Sequence, residues 1–248
     1  MKTWLLYFFF LLSNFSFAGE FRLAAAASLQ PAIAALSKDF NQQTGHTFQT
    51  SFGASGKLFA QISNGAPFDV LMSADLKYPQ ELIKVGAASG AVVNYANGVL
   101  VLWTTQTKIP SDWQAWLKSN AVQKIAIAQP DSAPYGREAL RLLTTQNLLP
   151  AANNKLVFGE SIAQASQFIS TGAAQAGFVA KSIVANPDQP QSGAWLAIPQ
   201  SMHQPIAHGA VLTDHGKDNA AAKAFMTYLQ SPAAHAIFQR YGFLVPAR

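Results

Sequence analysis

The chain has 248 residues, half of them apolar, which suffices for one or two α/β domains with a sizeable core. It contains no cysteine, which excludes disulfide bonds, a thiolate metal site and a cysteine-linked lipid anchor. The formal net charge is +5, but the basic residues are scattered and form no run, so the composition favours a basic surface over nucleic-acid binding.

The first 18 residues have the pattern of a secretory signal peptide. Lys2 gives a positive start, an apolar run follows over 4–12, and Ser16-Phe17-Ala18 is a small-x-small cleavage pattern. The apolar run is too short to span a membrane comfortably. We therefore predict cleavage after Ala18 and a soluble mature protein in an exported compartment.

The stretch from Phe21 to Pro31 predicts a strand that runs directly into a helix, with Ser28 at the junction. The same arrangement returns at 47–57, where a strand meets Gly-Ala-Ser55-Gly before the next helix. A helix start carries unpaired N–H groups and the positive end of the helix dipole, so it is a ready site for an anion. Two junctions that each carry a serine predict a receptor for a small anion.

Strands and helices alternate through the first part of the chain. Predicted helices cover 29–44, 57–64 and 77–85, and predicted strands cover 47–52 and 67–72. This alternation predicts a mostly parallel sheet with helices on both faces.

The pattern changes near Asn97 and again near Pro205, which predicts two crossings between two lobes. The predicted strands of this part and the rest of the chain are 98–104, 124–128, 155–158, 176–179, 195–198 and 209–212. The predicted helices are 113–119, 137–146, 162–171, 218–230 and 232–241, with a helical turn at 181–184. We assign 20–97 and 209–248 to the first lobe and 98–208 to the second. Ligands of such sheets bind beyond the carboxyl ends of the strands, so the cleft between the lobes is the predicted site.

Each serine also has a plain structural interpretation. Ser28 and Ser55 could simply cap helices, a role that stabilises by about 1 kcal/mol. As ligands, hydroxyl and N–H groups without a lysine would favour a fully deprotonated anion, because a protonated one needs an acceptor. Gly53 to Lys57 partly matches a phosphate-binding loop, but Leu58 stands where Ser or Thr is required, which argues against a nucleotide-hydrolysing P-loop.

Catalytic and metal sites are less well supported. The sequence has no Gly-x-Ser-x-Gly elbow of a serine hydrolase. His203, His208 and His215 lie close in sequence, but their spacing does not match a helical zinc pair, and they are interpreted as surface or hinge residues.

Six segments, taken in order, carry a family resemblance. They are 24–29, 51–58, 65–75, 134–140, 177–180 and the C-terminal pair 224–232 with 238–243. Together they resemble the periplasmic molybdate-binding proteins of ABC transporters, and they extend over essentially the whole mature chain.

The resemblance implies a two-lobed periplasmic-binding-protein fold that closes on a molybdate or tungstate dianion, with no catalytic residues, no cofactor and no metal-cation ligands. It implies that Ser28 and Ser55 bind the oxyanion in the first lobe. In the second lobe it implies backbone donors at Tyr135 and Ile162. It also implies delivery of the ligand to an inner-membrane ABC permease with its ATPase, and we expect the periplasmic receptor to be a monomer.

One departure from the family leaves alternatives open. Some members place a ligand-binding tyrosine where this chain has Ala180, followed by Lys181. The Tyr135 hydroxyl could compensate from the neighbouring loop, or its ring could serve only in packing, and Lys181 could be exposed or face the cleft. The alternative functions are a receptor for sulfate or another tetrahedral oxyanion, and an exported hydrolase acting on a phosphorylated or acyl substrate.

Overall fold

The computed structural model describes residues 18–246. The predicted signal peptide therefore lies, except for its last residue, outside the described residues. Across 18–246, no helix has both the length and the apolar character needed to cross a bilayer.

The described residues form ten strands and ten α-helices. The strands are β1 (Glu20–Ala26), β2 (Thr47–Gly53), β3 (Val70–Ser73), β4 (Ala88–Gly98), β5 (Leu100–Thr104), β6 (Ile125–Ala128), β7 (Leu156–Gly159), β8 (Ala176–Ala180), β9 (Ala194–Ala197) and β10 (Ile206–Thr213). The helices are α1 (Gln30–Thr44), α2 (Ser55–Ser63), α3 (Lys77–Lys84), α4 (Trp113–Lys118), α5 (Pro134–Thr145), α6 (Leu149–Ala152), α7 (Ile162–Ser170), α8 (Lys181–Val184), α9 (Ala220–Tyr228) and α10 (Pro232–Arg240). A 3-10 turn at Ala27–Leu29 joins β1 to α1.

Two five-stranded sheets with the same plan form the two lobes. The first has the order β2-β1-β3-β10-β4 and the second β7-β6-β8-β5-β9. In each sheet the first three strands pair in parallel, the fourth is antiparallel to both of its neighbours, and the fifth returns to the common direction. Four of the five strands thus run one way in each lobe, which confirms the predicted two-lobed, mostly parallel α/β architecture.

Helices cover both faces of the first sheet because its strands are apolar on both sides. Leu23 of β1 and Met72 of β3 face the cluster packed by α1, α9 and α10. Their neighbours Ala24 and Leu71 face the opposite cluster, which α2 and α3 cover. This period of two is the pleat of a strand that is buried on both faces. Helix α1 ends where Gly45 adopts a positive φ of 73°.

The structure corrects the bounds of two predicted elements and adds a strand that was not predicted. Strand β4, over Ala88–Gly98, was not predicted, because most of its residues are exposed or half-buried and Ser, Gly and Asn interrupt its apolar pattern. Strand β10 begins at Ile206 rather than 209. Helix α5 begins at Pro134, so Tyr135 lies inside its first turn rather than in a preceding loop.

The two crossings between the sheets are short. The chain leaves the first sheet after Gly98 and enters the second at Leu100, and it returns between Ala197 and Ile206. The first sheet thus takes its strands from 20–98 and 206–213. The predicted lobe bounds, 20–97 with 209–248 and 98–208, stay a prediction.

Candidate functional site

A small cavity lies where helix starts from both lobes meet. Its volume is about 10 Å³, far below the roughly 300–1,000 Å³ of pockets that hold drug-sized ligands, so it suits only a very small ligand. The described residues that line the cavity include no charged side chain. They are Ala26, Ala27, Ser28, Gly53, Ala54, Ser55, Ala74, Ala133, Pro134, Tyr135 and Ile162.

The structure brings all four predicted site residues to this cavity. Ser28 follows β1 in the 3-10 turn, and Ser55 is the first residue of α2 after β2. Tyr135 is the second residue of α5, and Ile162 is the first of α7. The starts of α2, α5 and α7 and the 3-10 turn before α1 therefore meet at one cavity, and helix starts favour an anion.

Ser28 has a buried hydroxyl that its surroundings leave unused. The residue is 0% exposed, and no group in the described part of the chain makes a hydrogen bond to its Oγ. Neither the 3-10 turn nor α1 has a side-chain cap, so the capping interpretation fails for this residue. Its carbonyl accepts a hydrogen bond from Ser182 Oγ at 2.8 Å, which fixes the backbone. Buried hydroxyls normally have partners, so this one points to a ligand.

Ser55 is held differently. It is 1% exposed, and its Oγ accepts a hydrogen bond from the backbone N–H of Ala74 at 3.0 Å. The N-cap of α2 is Ala54 without a side-chain cap, so capping fails here too. Because the N–H of Ala74 occupies a lone pair, the hydroxyl proton of Ser55 remains available to a group in the cavity.

The second lobe offers backbone donors. A backbone N–H in the first turn of a helix has no carbonyl partner within the helix, so it is free to donate to a ligand. Pro134 has no N–H, so Tyr135 supplies the first donor of α5. At the start of α7, the side chain of Ser161 accepts from Gln164 N, which caps the helix and leaves the N–H of Ile162 uncapped.

The side chain of Tyr135 is engaged with the crossing between the lobes. It is buried, and its Oη lies 3.4 Å from Nε2 of His208. Burial raises the pKa of the phenol, while the neighbouring Ser28 side chain lowers it to a smaller extent. Ser28 Oγ nevertheless meets no partner at hydrogen-bond geometry among the described residues. His208 is 0% exposed, so its interpretation as a surface residue was wrong, and no local pattern indicated its contact with this tyrosine.

Ala180, which stands where some family members have a ligand-binding tyrosine, contributes no polar group to the cavity. Ala180 is buried at the end of β8 and does not line it. The ammonium of Lys181 lies 5.7 Å from the centre of the Trp195 ring, on the side of β9.

Four hydrogen bonds or ion pairs join segments that follow β2 and β3 to segments that follow β6 and β7. They are the Gly56 N–H to Ser132 O at 2.8 Å, Tyr78 Oη to Asp131 O at 2.9 Å, Arg137 Nη1 to Asp75 Oδ2 at 3.1 Å, and an ion pair between Lys57 and Glu160. Each joins a residue that follows a strand of the first sheet to one that follows a strand of the second. The structure is therefore in a closed conformation, and Lys57 reaches across the cleft rather than into solvent alone.

The family model of the bacterial extracellular solute-binding proteins matches residues 21–244. The molybdate-binding protein ModA of Azotobacter vinelandii is 40% identical, over 91% of this chain and 90% of the relative. The molybdate-binding protein ModA of Rhodobacter capsulatus is 39% identical, over 92% of this chain and 89% of the relative. A solved periplasmic molybdate-binding protein of Azotobacter vinelandii superimposes with a TM-score of 0.86 at 34% identity, covering 92% of this chain and 100% of that structure.

Proposed function

Because this chain belongs to the bacterial extracellular solute-binding protein family, we propose that it captures molybdate in the periplasm for an ABC importer. The function is binding and delivery, without a chemical step, as in the relatives that are named as binding proteins. The observation that carries the proposal is the cavity between the lobes, whose described lining offers hydroxyl and N–H donors and no charged side chain.

We propose Ser28, Ser55, Tyr135 and Ile162 as the binding residues. The serines would donate through their hydroxyls, and Tyr135 and Ile162 through backbone N–H groups. Each hydrogen bond to a charged acceptor contributes about 1.5–3 kcal/mol. Four such bonds in a dry cavity suffice for tight binding of a dianion without a counter-charge from lysine or arginine.

The same lining supports a preference among oxyanions. Molybdate and tungstate are tetrahedral dianions of matching charge and shape, so both should bind. Phosphate carries at least one proton at neutral pH and needs an acceptor for it. The described lining has no carboxylate to serve as that acceptor, so phosphate would leave a buried O–H unpaired.

Delivery follows from the two-lobed design. Only the closed state brings donors of both lobes to one anion, so the ligand stabilises that state. The closed receptor, a periplasmic monomer released by cleavage after Ala18, would present both lobes to the permease. Opening the lobes there would break half of the donor set and release the ion.

Calorimetric titration of the mature chain with molybdate, tungstate, sulfate and phosphate tests the proposal. We expect tight one-to-one binding of molybdate and tungstate, weaker binding of sulfate and negligible binding of phosphate at neutral pH. Sulfate binding tighter than molybdate binding would identify a sulfate receptor instead. Phosphate affinity equal to that of molybdate would refute the donor-only cage, and turnover of a phosphate or acyl ester would identify a hydrolase.

A further inference from the structure

A buried histidine stands beside the cavity and takes no part in the proposed binding set. His208 of β10 is 0% exposed. Its ring meets the rings of Tyr95 of β4 and Tyr135 of α5 edge to face, at centroid distances of 5.7 and 5.9 Å. Nδ1 lies 3.2 Å from Tyr95 Oη and Nε2 lies 3.4 Å from Tyr135 Oη. The histidine thus joins two strands of the first lobe to the helix start of the second.

The direction of these hydrogen bonds follows from the number of protons available. Tyr95 has one hydroxyl proton and donates it to the carbonyl of Ser73 at 3.0 Å. Toward His208 its oxygen can then only accept, so the proton of the imidazole is on Nδ1. The other ring nitrogen, Nε2, is left as an acceptor, and it takes the proton of Tyr135.

Burial keeps this ring neutral. It lowers the pKa of His208 to about 3. The titratable groups that face the ring are the two phenols, and Asp75 acts on the nearer one, Tyr95. Burial raises the pKa of both phenols, so the network keeps one arrangement of protons through the neutral range.

We infer that His208 is a positioning residue for the oxyanion site and acts through Tyr135. By accepting the phenol proton, it ties the first turn of α5 to the crossing strand β10, and so holds the backbone N–H of Tyr135 at the cavity. The phenol then does not donate to the anion, and Tyr135 does not replace the tyrosine that is missing at Ala180. This inference rests on the proposed function for its ligand, but the arrangement of protons can be tested without a ligand.

Nitrogen-15 NMR of the His208 ring in the parent protein tests the arrangement directly. We expect an Nδ1–H tautomer with an unprotonated Nε2, unchanged from pH 5.5 to 8.5 and unchanged when molybdate is added. An Nε2–H tautomer, or a titration within that range, would overturn the inference. If molybdate failed to bind the parent protein, the proposed function would fall, while this measurement would still decide the arrangement of protons.

A double-mutant cycle separates positioning from direct binding. We expect Tyr135→Phe and His208→Phe each to weaken molybdate binding about threefold to tenfold, and the double variant to lose no more than either one. His208→Gln, which keeps one donor and one acceptor, should restore affinity to within about threefold of the parent.

Three outcomes would contradict positioning through Tyr135. A loss of about thirtyfold or more for Tyr135→Phe, independent of the residue at 208, would make the phenol a direct donor to the anion. Losses that add in the double variant would show that the two residues act separately. Parental affinity in His208→Phe would make the histidine a packing residue only.

Discussion

At the residue scale, the two serines of the cavity differ in what holds them. The Oγ of Ser28 has no protein partner among the described residues, whereas the Oγ of Ser55 accepts the N–H of Ala74. We expect Ser28→Ala to weaken molybdate binding about tenfold to a hundredfold, because a hydrogen bond to a dianion is lost. The same change should leave the free energy of unfolding unchanged or slightly higher. Calorimetry and urea unfolding of the ligand-free protein measure the two effects.

We expect Ser55→Ala and Ser28→Ala to differ in their effect on protein stability rather than in their effect on molybdate affinity. The loss of binding in Ser55→Ala should be similar, but the buried N–H of Ala74 would lose its acceptor, which costs about 1–3 kcal/mol of stability. Ser63→Ala, at the exposed end of the same helix, is the matched control and should change neither quantity. Unaltered binding in both cavity variants would show that the serines do not contact the ligand.

The buried histidine gives a pH dependence of stability. Burial lowers the pKa of His208 to about 3, whereas an unfolded histidine titrates near 6.5. Below pH 6.5 the unfolded chain binds a proton that the folded chain does not bind. The free energy of unfolding therefore falls as the pH falls, by up to about 1.4 kcal/mol per pH unit from this group.

Urea unfolding at pH 7.5, 6.0 and 4.5 measures this contribution. His208→Phe should flatten the decline between pH 6.0 and 4.5 by about 2 kcal/mol relative to the parent, because the variant has lost that proton uptake. Parallel declines in both proteins would mean that His208 becomes protonated without unfolding. Comparing the two chains cancels the contributions of the other histidines and of the carboxylates.

At the element scale, the cavity is made by the starts of helices, and much of this was open to prediction. Serine and glycine after an apolar run mark a strand end followed by a helix, which predicted the junctions at Ser28 and Ser55 and the helix start at Ile162, although α2 begins at Ser55 rather than at 57. The sequence of β4 shows no regular alternation of apolar residues, so it gave no such signal. The strand is stabilised by its pairing with β10. The partnership of His208 with Tyr135 joins residues 73 positions apart, and local patterns do not report such contacts.

Gly159, at the end of β7, sets how closely α7 approaches the cavity. A Cβ there would lie 2.4 Å from the backbone nitrogen of Ala165 and 2.9 Å from its Cα, so Gly159→Ala must push the helix away. The N–H of Ile162 would move with it, and a displacement of about 1 Å can cost about a hundredfold in a positioned site. We expect molybdate affinity to fall at least tenfold, measured by calorimetry.

Ala163→Gly in the same helix is the control for Gly159→Ala. It should lower the stability of α7 by about 1 kcal/mol without moving the helix start, so affinity should stay close to that of the parent. If Gly159→Ala bound molybdate as the parent does, the position of α7 would not limit binding.

At the scale of the whole molecule, contacts between the lobes accompany the closed cavity. The two lobes meet through backbone and side-chain groups that lie far apart in the chain, such as Tyr78 with Asp131 and Arg137 with Asp75. These contacts belong to the closed state, so their strength biases the population of that state and hence the apparent affinity. The sequence predicted two lobes and a cleft, but which residues meet across it depends on the closure angle, which no local pattern encodes.

Gly56 is where this closure can be blocked by a single methyl group. Its N–H donates to Ser132 O at 2.8 Å, and a Cβ would lie 2.5 Å from Tyr78 Oη and 3.0 Å from Ser132 Cα. Either the tyrosine or the Ser132 backbone must move, and both belong to the contacts that join the lobes. We expect Gly56→Ala to stay folded, to weaken molybdate binding at least tenfold, and to show no ligand-induced contraction in small-angle X-ray scattering.

The matched control for Gly56→Ala is Lys57→Ala, one position along the same helix. It removes an ion pair to Glu160 whose side chains are 49% and 62% exposed, and such pairs contribute at most about 1 kcal/mol. That variant should lose no more than about fivefold in affinity and should still contract on binding. If Gly56→Ala contracted and bound like Lys57→Ala, steric contact at the cleft would not limit closure, and the ligand alone would have to supply the free energy that brings the lobes together.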